Sequence, residues 1–215
     1  WKSEVIKSFI AYGYTKQEVS KAFASLKLPQ GFSNGEGLIF PAQYSFPQGT
    51  SAHAALQSMI DRFSDDSYGA KLLQGNQNFS AQKLLIIASI IQAESTNADF
   101  SKVSRVIYNR LKIGMPLQMD STVHFIMQAR GDIFLSRKST MLNSPYNTYR
   151  KYGLPPGPIC SPGAKAIKAA LEPIDGDWLY FITVAPGDTR FTSSLDEFNT
   201  WKAIYTKNRK AGVFK

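Results

Sequence analysis

The stretch Ser80-Ala-Gln-Lys-Leu-Leu-Ile-Ile-Ala-Ser-Ile-Ile-Gln-Ala-Glu94-Ser-Thr96 decides how the rest of the chain is read. Its spacing predicts a helix. Ser80 suits an N-cap, because a short side-chain oxygen there accepts one of the unpaired N–H groups of the first turn, and Phe79 can staple that turn. Leu84, Ile87, Ile90 and Ile91 recur at three- and four-residue intervals, the stripe a helix buries. Carried one turn further, the stripe arrives at Glu94. A carboxyl on the apolar side of a helix is costly to ionise, so its pKa rises and it holds its proton towards neutrality. A protonated Glu in an apolar setting is what general-acid chemistry requires. The plainer alternative is a Glu at a fraying helix end, turned to solvent or paired with a basic side chain.

Outward from this helix, patterning gives further elements. Two short helices are expected at 3–12 and 15–27, the second opened by a capping box of Thr15 and Glu18. Residues 29–37 collect turn-forming residues and read as a linker or domain edge. The aromatic run 37–49 carries prolines that restrict it to edge strand or loop. A helix is expected at 51–63, then a polar connection over 65–78. Ser101 opens a helix with Val103, Val106, Ile107 and Leu111 on one face, closed by Gly114. Residues 115–160 have little periodicity apart from a short helix near 121–129, and such long irregular segments are often binding surfaces. Ser161-Pro162 is expected to start a helix running to Leu171. Residues 178–184 form the clearest strand, returned by the turn at 185–188 as a hairpin through 190–193. Ser194 and Glu197 box the start of a last helix. The fold class is α+β, helix-rich, with a small β-hairpin or sheet.

Bulk properties narrow the function. The 215 residues suffice for one sizeable domain, or one domain and a small appendage. The charge of +9, from 25 Lys and Arg against 16 Asp and Glu, favours anionic partners. The basic residues are scattered, however: Lys102, Arg105, Arg110, Arg130, Arg137, Arg150, Lys165, Lys207 and Arg209 form no compact nucleic-acid footprint. One cysteine, Cys160, allows no intramolecular disulfide, and with His53 and His124 it gives no zinc spacing. No apolar run reaches the roughly 20 residues of a spanning helix. A chain opening on Trp1 reads as part of a longer product. Two motif matches lack their context. Gly31-Phe-Ser33-Asn-Gly35 has no preceding strand or following helix to raise Ser33 on a strained elbow, and Ser80-Ala-Gln-Lys83 lacks its companion K-T-G and S-D-N elements.

Several blocks, in order, carry a resemblance. Glu36-Gly-Leu-Ile-Phe-Pro41, Ala88-Ser-Ile-Ile-Gln-Ala-Glu94, Val106-Ile-Tyr-Asn-Arg-Leu111, Gly114-Met-Pro-Leu-Gln-Met-Asp-Ser-Thr-Val123, Ser144-Pro-Tyr-Asn-Thr-Tyr149 and Gly153-Leu-Pro-Pro-Gly-Pro-Ile159 are similar to the endolytic murein transglycosylases (MltG or YceG-like). Ser161-Pro-Gly163, Ala169-Ala-Leu-Glu-Pro173 and Tyr180-Phe181 extend the likeness, which covers about 36–210. The resemblance implies Glu94 as the catalytic residue. It also implies a glycan groove lined by Gln118, Asp120 and Thr122 and by Tyr146, Asn147, Thr148 and Tyr149. Asn109 and Arg110 sit on the helix after the catalytic one, where Arg110 would meet the muramyl peptide carboxylate or only a neighbouring Asp. Gln92 stands where the family block has its first Glu. Thr189-Arg-Phe191 and Glu197-Phe-Asn199 stand where family members carry histidines.

By the same resemblance, residues 1–35 would be at most the end of a LysM-like subdomain, and 36–215 the catalytic domain. The implied reaction cleaves the β-1,4 bond of nascent peptidoglycan. One Glu protonates the leaving oxygen, then as carboxylate accepts a proton from the muramyl 6-hydroxyl, which closes a 1,6-anhydro ring. No cofactor or metal is implied, and no nucleic acid. The partners implied are glycan strands and peptidoglycan synthases. The location implied is the outer face of the bacterial cytoplasmic membrane, held by a single-pass anchor outside this stretch. Two alternatives stay open: a muramidase using Glu94 and Asp120 with water, and a non-catalytic glycan-binding domain.

Overall fold

In a computed structural model, residues 1–129 and 135–214 are described. Arg130, one of the scattered basic residues, lies outside them. The architecture is α+β: helices α1 (Lys2–Tyr12), α2 (Lys16–Ala24), α3 (Ala52–Asp65), α4 (Ser67–Leu73), α5 (Ala81–Glu94), α6 (Phe100–Lys112), α7 (Asp120–Met127), α8 (Ala164–Leu171) and α9 (Leu195–Lys210) accompany one antiparallel pair, β1 (Tyr180–Ala185) and β2 (Asp188–Thr192). None of these helices is long and apolar enough to cross a membrane.

The helix α5 is the axis of the molecule. Every residue from Leu84 to Ile91 is buried, so the expected stripe is widened to an apolar helix enclosed on all sides. Helices α4, α6, α7 and α8 pack around it. Ser80 caps its start by accepting the Lys83 N–H, which disposes of the S-x-x-K reading. Ser89, the single polar residue in the enclosed run, is fully paired. Its hydroxyl donates to Ile86 O at 2.8 Å and accepts from Ile159 N–H at 3.0 Å, while its carbonyl accepts from the Cys160 thiol. A long loop is thereby fastened to the core helix through one small side chain.

The run 36–41 is a buried turn rather than a strand, with Leu38, Ile39 and Phe40 in the core. Gly37 sits at φ 85°, and a β-carbon there would lie 2.7 Å from Pro158. The expected polar connection at 65–78 contains α4. Asp66 ends α3 and caps α4 by accepting from Tyr68 and Gly69 N–H groups, and Leu72 is buried. A seven-residue helix carrying one buried leucine has too little periodicity to show in sequence. Helix α8 starts at Ala164, two residues later than the expected first position at Pro162, with Gly163 as N-cap and its N–H donating to the Gln92 side chain at 3.0 Å.

Helices α1 and α2 pack against each other and α2 against α3, so Phe9, Val19 and Ala22 join the same core cluster as α5. The capping box of Thr15 and Glu18 is formed. The hairpin β1–β2 pairs Tyr180 with Thr192 and carries a register shift near its turn. Helix α9 lies against β1 and buries no residue completely.

Candidate active site

Glu94 is the last residue of α5, and its carboxyl meets the first turn of α7. Oε1 accepts the Ser121 N–H at 2.9 Å. Ser121 is the second residue of α7, so this N–H has no partner inside its own helix and the helix dipole favours negative charge there. Against that, protein surrounds the carboxyl closely enough for burial to raise its pKa. The negative charge of Asp120 pushes in the same direction, while Ser121 and His124 pull the other way. Burial is the largest influence, and the net shift is upward. The side chain nonetheless keeps part of its surface open to solvent. A carboxyl with a raised pKa, one hydrogen-bond donor and a solvent-facing side is equipped to hand over a proton and take one back.

Asp120 and Tyr149 stand beside it. The Tyr149 hydroxyl donates to Asp120 Oδ1. Burial is the main reason the Tyr149 phenol is held far above its ordinary pKa, with Asp120 adding to it, so Tyr149 stays neutral and keeps the proton it donates to Asp120. Asp120 is exposed. Adjacent residues at one helix start therefore serve different ends, since Asp120 holds Tyr149 and Ser121 holds Glu94. The Ser121 hydroxyl is buried close to the same carboxyl without a hydrogen bond of good geometry.

The floor of the site is built from residues expected to line a groove. Thr148 Oγ1 accepts from Met119 N–H at 2.9 Å and pairs with Thr122 Oγ1 at 2.9 Å, and Thr122 donates to Met119 O. Asn147 donates to Thr140 O and Leu142 O and accepts from Tyr149 N–H. Thr122, Asn147 and Thr148 are buried, so their side chains present no surface to a glycan. They fix the 117–121 and 144–149 loops to each other. Gln118 does face solvent, in a left-handed conformation (φ 50°), with its N–H donating to Thr148 O at 3.0 Å.

Arg110 is buried too. Its guanidinium donates to Leu179 O at 2.7 Å and to Leu117 O, tying the site loop to the start of the hairpin. Burial lowers its pKa, and the ring of Tyr180 lies 5.7 Å from the guanidinium carbon. A cation used in this way has little left for a muramyl peptide. Two other expected residues point elsewhere: Asn109 donates to Gly176 O and Trp178 O, and Tyr146 packs on Phe125 with ring centroids 5.0 Å apart. Gln92, in place of the family Glu, accepts from Gly163 N–H and serves packing. The altered C-terminal segments lie in the hairpin and α9, where Arg190 pairs with Asp188 at 2.7 Å.

Sequence reasoning passed over Ser121 and His124. Both lie on α7 at i and i+3, and both lower the Glu94 pKa, Ser121 by hydrogen bonding and His124 by its charge. The signal available was that spacing after Asp120, which becomes readable only once Glu94 is known to lie at the helix start.

The YceG-like family model matches residues 2–203. An endolytic murein transglycosylase of Bacillus subtilis (strain 168) is 40% identical over 179 residues, which is 81% of this chain and 49% of that protein. One from Streptococcus pneumoniae (strain D39) is 30% identical over 168 residues, 75% of this chain and 30% of its own length. The chain thus spans about half, or less, of the curated relatives it matches. A crystal structure of a yceG-like protein from Listeria monocytogenes superposes with a TM-score of 0.78 at 29% identity, covering 92% of this chain and 71% of the other. With the family pattern matched from α1 into α9 and the fold shared with a solved member, this chain belongs to the YceG-like family.

Proposed function

We propose that this chain is the catalytic portion of an endolytic murein transglycosylase. The observation that carries the reading is the Glu94 carboxyl, raised in pKa by burial yet partly open to solvent, at the start of α7. Glu94 protonates the glycosidic oxygen between MurNAc and GlcNAc as the bond breaks. Its carboxylate, now favoured by the Ser121 N–H, accepts the proton of the muramyl 6-hydroxyl, whose oxygen closes the 1,6-anhydro ring. The oxocarbenium-like charge that develops meanwhile lies near Asp120, whose carboxylate is positioned by Tyr149. Gln118 and the exposed side of Asp120 contact the sugar chain, and Arg110, Thr122, Asn147 and Thr148 hold the loops that carry them.

Murein lies outside the cytoplasmic membrane, so this reading places the enzyme there, with anchoring and synthase contacts supplied by further parts of the product. Residues 1–35 belong, on the same reading, to the closing part of a smaller unit packed on the 36–215 body.

A muramidase reading uses the same Glu94 with Asp120 and water. Asp120 already accepts the Tyr149 hydroxyl, which favours its acting on charge rather than as a water-activating base. Mass spectrometry of digested peptidoglycan separates the two, because a hydrolysed end is one water heavier than an anhydro end. Glu94→Gln should lower cleavage by about 10²–10⁴-fold, the usual contribution of a general acid. Undiminished cleavage by that variant would remove Glu94 from the mechanism.

A further inference from the structure

At the end of α5 opposite Glu94, an open cavity of about 930 Å³ lies between α5, α6 and the 153–156 loop. Phe79, Tyr108 and Leu154 supply apolar wall, and Lys83, Arg105 and Lys112 are its charged lining residues, with no acidic side chain among the described residues of the lining. The wall is rigid. Phe79 and Tyr108 pack edge to face at 5.2 Å, and the Tyr108 hydroxyl is fixed on Ala170 O at 2.6 Å. Arg105 is already engaged with Pro173 O, Ile174 O and, at 3.6 Å, Asp175. Lys83 and Lys112 are exposed, and their ammonium groups have no partner among the described residues. Two unpaired cations at the rim of an apolar-walled cavity suit a ligand with carboxylates on a partly apolar backbone.

We propose, on the murein reading given above, that this cavity takes up the carboxylate-bearing peptide stem of the strand whose sugar lies at Glu94. Distance fits. Lys83, which lines the cavity, precedes Glu94 by eleven residues, about 16 Å along a helix axis. An extended peptide advances about 3.3–3.6 Å per residue, so about five residues span that gap. The lysine ammonium is a compact point charge, suited to a carboxylate on a flexible chain. Attraction to anionic lipid commonly uses four to eight clustered basic residues, whereas among the described residues lining this concave site two cations are free.

The test compares binding of short glycan strands bearing peptide stems with the same strands stripped of stems by an amidase, using the Glu94→Gln protein so that the probe survives. Stem-bearing strands should bind about fivefold more tightly, the order expected of two exposed ion pairs. Lys83→Gln with Lys112→Gln should erase that preference and leave binding of stripped strands unchanged, with circular dichroism confirming the fold. Equal affinity for the two strands, or a preference that survives both substitutions, overturns the proposal. Phosphatidylglycerol vesicles give the other arm: if the double variant loses vesicle binding but keeps its stem preference, the lysines belong to a lipid surface and the proposal falls. A Glu94→Gln protein that still cuts the strands counts against the chemistry at Glu94, not against this cavity, whose readout is a ratio of affinities.

Discussion

Glu94 and Arg110 lie in one neighbourhood, close enough for Glu94 to bias the charge of Arg110, yet the protein uses them in opposite ways. Arg110 is enclosed and donates to the buried Leu117 carbonyl and to the half-buried Leu179 carbonyl. Glu94 accepts from one N–H, forms no ion pair among the described residues, and keeps a face towards solvent. The region around Arg110 is tied together by those two bonds. The region around Glu94 is left short of partners, and so its proton can move. A charge whose bonds are all made inside the fold is structure, and one held near its limit is available for chemistry.

The largest expected effect is on Glu94, whose Gln variant should lose cleavage and yet gain stability. The native state holds the Glu94 proton more tightly than the unfolded chain does. Its stabilising contribution is therefore complete below the unfolded carboxyl pKa and is lost as pH rises through the raised native value. Gln loses nothing on that path, so urea denaturation at pH 4 and pH 8 should show the variant gaining on the parent as pH rises. A difference that stays constant with pH would mean the carboxyl is not strained by burial.

Arg110→Met should do the reverse and cost about 2 kcal/mol in denaturant unfolding, because the buried Leu117 carbonyl loses its donor and the tie to Leu179 is cut. If this variant is as stable as the parent, the contrast between the two charges fails. Asp120→Asn is subtler. Asn can still accept from Tyr149, so the geometry stays, but removing the negative charge lowers the Glu94 pKa. The alkaline limb of the pH–rate profile should move to lower pH, by less than burial contributes, since burial is the larger cause. An unmoved limb would show that Asp120 does not act on Glu94 through charge. Smallest of all, Gln118→Gly should gain about 0.5 kcal/mol by relieving the left-handed backbone, part of the relief being offset by the freedom glycine gains when unfolded. A loss of glycan binding alongside that gain would assign the Gln118 side chain to the sugar groove.

Much of this was legible in residue order. The α5 periodicity placed Glu94 on the buried side of a helix, and the Thr15–Glu18 box and the 178–193 hairpin followed from local rules that the structure obeys. Other features depend on tertiary contact. Helix α4 carries one buried leucine and was read as a connection. The start of α8 moved to Ala164, with Gly163 bonded to Gln92, seventy-one residues away. Thr122, Asn147 and Thr148 read as groove-lining because polar residues in a loop are ordinarily exposed. Here they are buried and bonded to one another and to backbone groups, and Arg110 is likewise drawn inward.

The sequence alone determined the helix types, the family likeness and the identity of one carboxyl on an apolar stripe, because periodicity and capping are properties of neighbours in the chain. Only the tertiary structure decided which polar groups face solvent and which hold the loops. It alone brought the Ser121 N–H and Asp120 to Glu94, because burial and charge depend on distance in space, and Ser121 lies twenty-seven residues from Glu94.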